Sequence, residues 1–191
     1  EDPRLLAIYW ELIDAAGHLL MPYAPPRGPQ IEQRDFERYG AAMDAAYEFQ
    51  DELLGRLLAG ADTANTVVMV LSDHGFKCGD ERPAGSAEIE GGDAARWHRD
   101  PGVLVMAGPG VRRGVTLAGR AGVLDIAPTI LAVMGLPVPR TMAGSVLAEA
   151  FDAAGSARYA PRYVDDIALR PEVWRPPAPA AAAQAGPAQA A

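Results

Sequence analysis

Three short apolar runs narrow most sharply what this chain can fold into: Leu5–Trp10, Thr66–Leu71 and Gly102–Met106. Each is too short for a typical buried helix and too continuously apolar for a strand with one wet face. Such runs suit strands covered on both faces, as in a parallel sheet flanked by helices. Helical patterns alternate with them. From roughly Asp35 to Ala59, Phe36, Tyr39, Met43, Ala46, Tyr47, Leu53, Leu54, Leu57 and Leu58 recur at helical spacing, and Gly60 follows as a stop. A second helix is predicted from Asp125, placed to act as N-cap, to Met134, with Pro128 in the first turn and Gly135 after the end. The alternation predicts the α/β class with a mostly parallel sheet.

With 191 residues, 49% of them hydrophobic, the chain can build one domain with a core. Its net charge of -8 argues against a nucleic-acid-binding surface, which needs basic patches. A small phosphate ester is still admissible, because bound divalent cations invert the local charge. The one cysteine, Cys78, excludes an intrachain disulfide and reads as incidental in its Gly-rich loop. No stretch approaches the roughly 20 apolar residues of a membrane span, and no signal peptide is visible. The chain opens at Glu1 without methionine and enters a strand pattern almost at once, so truncation or processing upstream is expected. Three regions follow: a folded portion over 1–152, an irregular extension over 153–170, and a disordered Pro/Ala-rich tail over 171–191.

All three histidines stand in distinctive contexts. His18 follows Asp14 by four residues, the spacing that places both on one face of a helical turn. His74 follows Asp73 at the C-terminal end of the Thr66–Ser72 strand, where α/β sheets place their ligands. His98 stands just before the Gly102–Met106 strand. Three His and two Asp form a mixed nitrogen/oxygen donor set suited to zinc or another borderline divalent metal. Arg96 and Arg99 flank His98 and are candidate phosphate contacts. The Pro-rich stretch from Met21 to Pro26 reads as a plain loop that could border a pocket, and Gly79 to Gly92 as a connector.

These residues resemble the alkaline phosphatase superfamily. Asp14-Ala15-Ala16-Gly17-His18 resembles its D-x-x-G-H motif, and Ser72-Asp73-His74-Gly75-Phe76 its S-D-H-G-M motif. His98 to Gly102, then Gly108-Pro109-Gly110-Val111, is similar to its H-x-x-x-G…G-P-G segment. Leu124 to Leu131, then Gly135-Leu136-Pro137, resembles its D-I-A-P-T-[LI]-L…G-L-P ending. Four motifs in order are far more specific than one, and the nearest branch is the type I phosphodiesterase/nucleotide pyrophosphatase group.

The resemblance implies a three-layer sandwich whose N-terminal strands are missing here, with residues 1–152 as the C-terminal portion of a metal-dependent phosphohydrolase domain. It implies two divalent ions, most readily Zn2+ and alternatively Mn2+. Asp14, His18 and His98 would hold the first; Asp73 and His74 would hold the second. It further implies a Thr or Ser nucleophile and one more Asp ligand on strands upstream of Glu1. The expected activity is hydrolysis of a small phosphate ester or nucleotide. Within the superfamily the alternatives are a phosphonate hydrolase, a phosphoglycerate mutase or a sulfatase; outside catalysis, the alternative is a truncated metal-binding domain.

Overall fold

The computed structural model describes residues 4–84, 93–117 and 121–165. The tail expected over 171–191 lies outside these. The chain is α/β, as the alternation predicts. Helix α1 (Leu12–Leu20) is followed by a single 3-10 turn, then by α2 (Gln33–Tyr39) and α3 (Ala42–Ala59). Strands β1 (Val68–Leu71) and β2 (Gly75–Phe76) precede the short α4 (Ala94–Trp97), β3 (His98–Arg99) and β4 (Leu104–Ala107). Helix α5 (Ile126–Val133), strand β5 (Val138–Pro139), helix α6 (Ala153–Arg158) and strand β6 (Tyr163–Val164) complete the described part.

The mostly parallel sheet is not what the described residues form. β1 pairs antiparallel with β4, from Val68↔Ala107 to Leu71↔Leu104, and β2 pairs antiparallel with β3. Only the small β5–β6 pair is parallel. Strand direction is invisible to an apolar run, because either orientation buries the same side chains. Nor is the ribbon covered on both faces. Along β4, Leu104 and Met106 turn inward while Val105 is 55% exposed. The first run, Leu5–Trp10, is not a strand at all. It lies ahead of α1 with Leu5 to Tyr9 exposed, Tyr9 83% accessible, and Trp10 half-buried.

Other boundaries shift for local reasons. The long predicted helix divides at Gly40 into α2 and α3, where glycine has the weakest helix propensity after proline. The extension expected to be irregular contains α6, capped by Asp152 Oδ1 accepting from the Gly155 N–H at 2.8 Å.

Two small core clusters lie among the described residues. Ala16, Met21, Ala24, Met43 and Trp97 join α1, α3 and the segment just before β3. Val111, Phe151 and Tyr159 form the other, with Val67, Met106, Val133 and Val146 packed against them. Thr129 is fully buried; its hydroxyl donates to the Asp125 carbonyl and accepts from the Leu147 N–H. It is thus a packing residue, as expected for a Thr inside a helix.

Asp125 does not cap α5 with its side chain. Its carboxylate instead accepts N–H bonds from Ser145 (2.7 Å) and Gly122 (2.8 Å). Those two donors, Ser145 first, hold its pKa below the ordinary 3.8. The folded pKa is the lower one, so this stabilisation is present above the unfolded value and fades as pH falls through the folded value. Asp125→Asn is therefore expected to cost about 1–2 kcal/mol at neutral pH. In thermal melts, the gap between the variant and the parent narrows in acid.

Candidate metal centre

The Asp14–His18 spacing becomes one face of α1, as predicted. His18 is buried, and its Nε2 lies 3.6 Å from Asp14 Oδ1. The β2–β3 ladder brings the other imidazoles to this face. His98 Nε2 lies 3.1 Å from His18 Nε2 and 3.9 Å from Asp14 Oδ1. His74 Nε2 reaches the same carboxylate oxygen at 3.6 Å, and its ring stacks on His98 with centroids 3.8 Å apart.

The backbone makes this convergence possible. The β1–β4 ribbon is interrupted where Ser72 meets Val103: the Ser72 N–H donates to the Val103 carbonyl, and the Val103 N–H donates to Ser72 Oγ. At this break Gly102 touches the opposite strand so closely that a Cβ would lie 2.2 Å from the Ser72 carbonyl oxygen. The chain turns just after it, and His74 faces α1. His74 Nδ1 lies 3.1 Å from the Gly75 carbonyl, which can only accept, so that nitrogen carries the proton. Its Nε2 is the ring nitrogen left toward Asp14.

Phe76 stands in the second motif, where the sequence assigns it no role. It meets His18 and His98 edge-on, with centroids at 5.0 and 5.3 Å. The signal was available, since Phe76 is two residues beyond His74 and side chains two apart on a strand share a face. Its ring fits because position 17 is glycine: a Cβ there would come within 2.8 Å of the ring. Gly17→Ala is expected to push Phe76 aside and weaken metal binding at least about tenfold, as losing an orienting contact does. Isothermal titration with Zn2+ measures this.

The donors fit a divalent cation. Asp14 Oδ1 is buried and has no hydrogen-bond partner, a costly state for a carboxylate oxygen unless a cation completes it. Asp14, His18 and His98 form a group whose ligand atoms lie mutually within 4.8 Å. Around a tetrahedral ion with bonds of about 2.1 Å, ligand atoms stand roughly 3.4 Å apart; the separations here are 3.1, 3.6 and 3.9 Å. Burial, and then the neighbouring His74 and His18, lower the pKa of His98. The shift, partly opposed by Asp14 and Asp73, favours the neutral ring, the form that ligates.

Asp73 stands apart from this trio. Its side chain is 80% exposed and 3.8 Å from His74 Nε2, and it accepts the His74 backbone N–H. Arg96 pairs with Asp93 on the surface rather than lining the cluster. Arg99 neighbours His98 on β3 and so points to the other face. A cavity of about 270 Å3 opens between the Pro22–Gln30 loop and the Gly79–Ala84 segment, closing on Trp97 beside His98. Among the described residues no helix is long and apolar enough to cross a membrane.

The motifs in order, with an Asp/His cluster gathered from two of them, define a member of the alkaline phosphatase superfamily. More narrowly, the family model for type I phosphodiesterase / nucleotide pyrophosphatase matches residues 1–121, and the chain belongs to that family. Among curated proteins, the chain is similar to 2,3-bisphosphoglycerate-independent phosphoglycerate mutases. That of Thermomicrobium roseum is 35% identical over 107 residues, covering 56% of this chain and 20% of the relative. That of Ruegeria pomeroyi is 38% identical over 103 residues (53% and 19%). That of Natronomonas pharaonis is 32% identical over 137 residues (71% and 25%). The chain thus spans about a fifth to a quarter of these relatives' length. No solved structure matches.

Proposed function

We propose that this chain supplies the C-terminal part of a metal-dependent phosphoryl-transfer site that hydrolyses phosphate esters of the phosphodiester or nucleotide pyrophosphate type. The observation that carries the reading is the buried, unpartnered Asp14 Oδ1 facing three imidazoles. Asp14, His18 and His98 hold one divalent ion, zinc before manganese; Asp73 and His74 belong to a second. Such ions supply positive charge to the oxygens around phosphorus and offset the charge of the transition state.

The chain's own residues perform the orienting work. Helix α1 fixes Asp14 and His18 relative to each other. Gly75 holds the His74 tautomer, and Phe76 shields the rings from water. The nucleophile, a Thr or Ser, and one further Asp ligand come from a segment outside this sequence. Ser72 Oγ is already engaged by the Val103 N–H, and Thr129 is fully buried with its hydroxyl bonded to the Asp125 carbonyl and the Leu147 N–H. In the whole protein the β1–β4 ribbon joins a larger sheet of a three-layer sandwich. The exposed Val70, Leu71 and Val105 support this, since two-stranded ribbons are marginal alone.

A second reading, phosphate migration on phosphoglycerate, is favoured by the names of the similar proteins. The test uses the zinc- or manganese-loaded full-length gene product with bis(p-nitrophenyl) phosphate and, separately, with phosphoglycerate. Nitrophenol release that disappears with Asp14→Asn supports the hydrolase. Migration without net phosphate release supports the mutase. Neither activity with metal bound reduces the chain to a metal-binding module.

A further inference from the structure

We propose that Arg82 is a positioning residue: it fixes the ligand-bearing face of α1 against the β2–β3 ladder that carries His74 and His98. The inference rests on the metal-centre reading above and adds a residue that none of the ligand motifs contains.

The reason begins with proline. The loop leaving α1 contains Pro22, Pro25, Pro26 and Pro29. Prolines have no N–H, so a loop rich in them pairs few of its own carbonyls: here the Ala24 N–H reaches the Met21 carbonyl and the Ile31 N–H that of Gly28. Arg82 supplies the missing donors from the other side of the site. Its Nη1 donates to the carbonyls of Met21 and Pro22, both at 3.2 Å, and of Ala24. Its Nη2 donates to the carbonyl of Pro26, and its Nε to that of Gly79 at 2.9 Å. Among the described residues it has no carboxylate partner. One guanidinium therefore links the segment continuous with Asp14 and His18 to the segment just after His74 and Phe76.

The planar fork of five N–H groups makes this possible, and a lysine ammonium cannot copy it. The consequence is geometric. The His18–His98 and Asp14–His74 separations are distances between α1 and the ladder, and a metal site tolerates only about 0.2 Å of error in its bonds. Apart from Arg82, the docking relies on Phe76 over Gly17 and on the small core around Met21, Met43 and Trp97.

The test is Co2+ titration of the 191-residue chain, read by the visible ligand-field spectrum, for the parent, Arg82→Lys, Arg82→Ala and Asp125→Asn. Far-ultraviolet circular dichroism and apo melting temperature are recorded alongside. The expected result is at least about tenfold weaker binding and an altered spectrum in both Arg82 variants. Asp125→Asn, destabilised away from the site, keeps the parental affinity and spectrum. If Arg82→Ala fails to fold, Arg82→Lys decides. Folded Arg82→Lys with parental affinity and spectrum overturns the proposal. A parent chain that takes up no cobalt overturns the metal-centre reading itself, and the proposal with it.

Discussion

Asp14→Asn is expected to weaken divalent-metal binding at least about 100-fold, or ~2.7 kcal/mol, with little change in the metal-free melting temperature. The substitution keeps the shape and removes the charge. In the metal-free protein the Asp14 Oδ1 atom is buried without a hydrogen-bond partner, with imidazole nitrogens 3.6 to 3.9 Å away, so asparagine at this position breaks no hydrogen bond of that oxygen. In the metal-bound protein the same oxygen is the only carboxylate donor in the trio, beside the imidazoles of His18 and His98. Losing it removes the strongest electrostatic attraction in the trio. A large loss of affinity with apo stability nearly unchanged distinguishes a ligand from a structural residue. Titration calorimetry of the parent and the variant, with melts of both apo forms, measures the two together.

The second large effect is expected from Gly102→Ala, at about 3 kcal/mol of lost stability. A Cβ at this position would lie 2.2 Å from the Ser72 carbonyl oxygen and 2.9 Å from its carbon. Both are backbone atoms, so no side chain can move to make room. The strands must separate where the ribbon breaks, just beside Asp73 and His74. A drop of roughly 6–12 °C in melting temperature is the expected reading for a chain of this size. A melting temperature within a degree or two of the parent would contradict the close approach at this crossing.

Gly102 also marks how far the sequence could be read. As part of a family-like motif it was legible, but the reason for glycine there is the carbonyl of Ser72, thirty residues earlier, which no local pattern reveals. Asp14 and His18 were legible because four-residue spacing is a property of the helix itself. The pairing of Asp73 and His74 at a strand end was legible for a similar reason: the apolar run stops there and a glycine follows. Their unequal fates were not. Which of two neighbours faces α1 depends on the kink at Ser72–Val103, a contact between distant segments.

The antiparallel pairing of the described ribbon was not legible for a comparable reason. Val70, Leu71 and Val105 are apolar yet exposed in the ribbon, and an apolar residue carries no mark of which neighbour will cover it. The Leu5–Trp10 run shows the same limit, since β-prone residues form a strand only when an edge is available to pair with. Arg82 had no readable signal at all. Its carbonyl partners before α2 lie 56 to 61 residues away, and a lone arginine inside a Gly-rich connector looks like any other.

The central claim is that Asp14, His18 and His98 hold one ion within this chain. X-ray absorption of the zinc-loaded 191-residue protein, with metal content determined on the same sample, tests it most directly. The account predicts one zinc per chain with a first shell of nitrogen and oxygen only, including at least two imidazoles, and loss of that signal in Asp14→Asn. No retained zinc, or a sulfur ligand from the exposed Cys78, would contradict it.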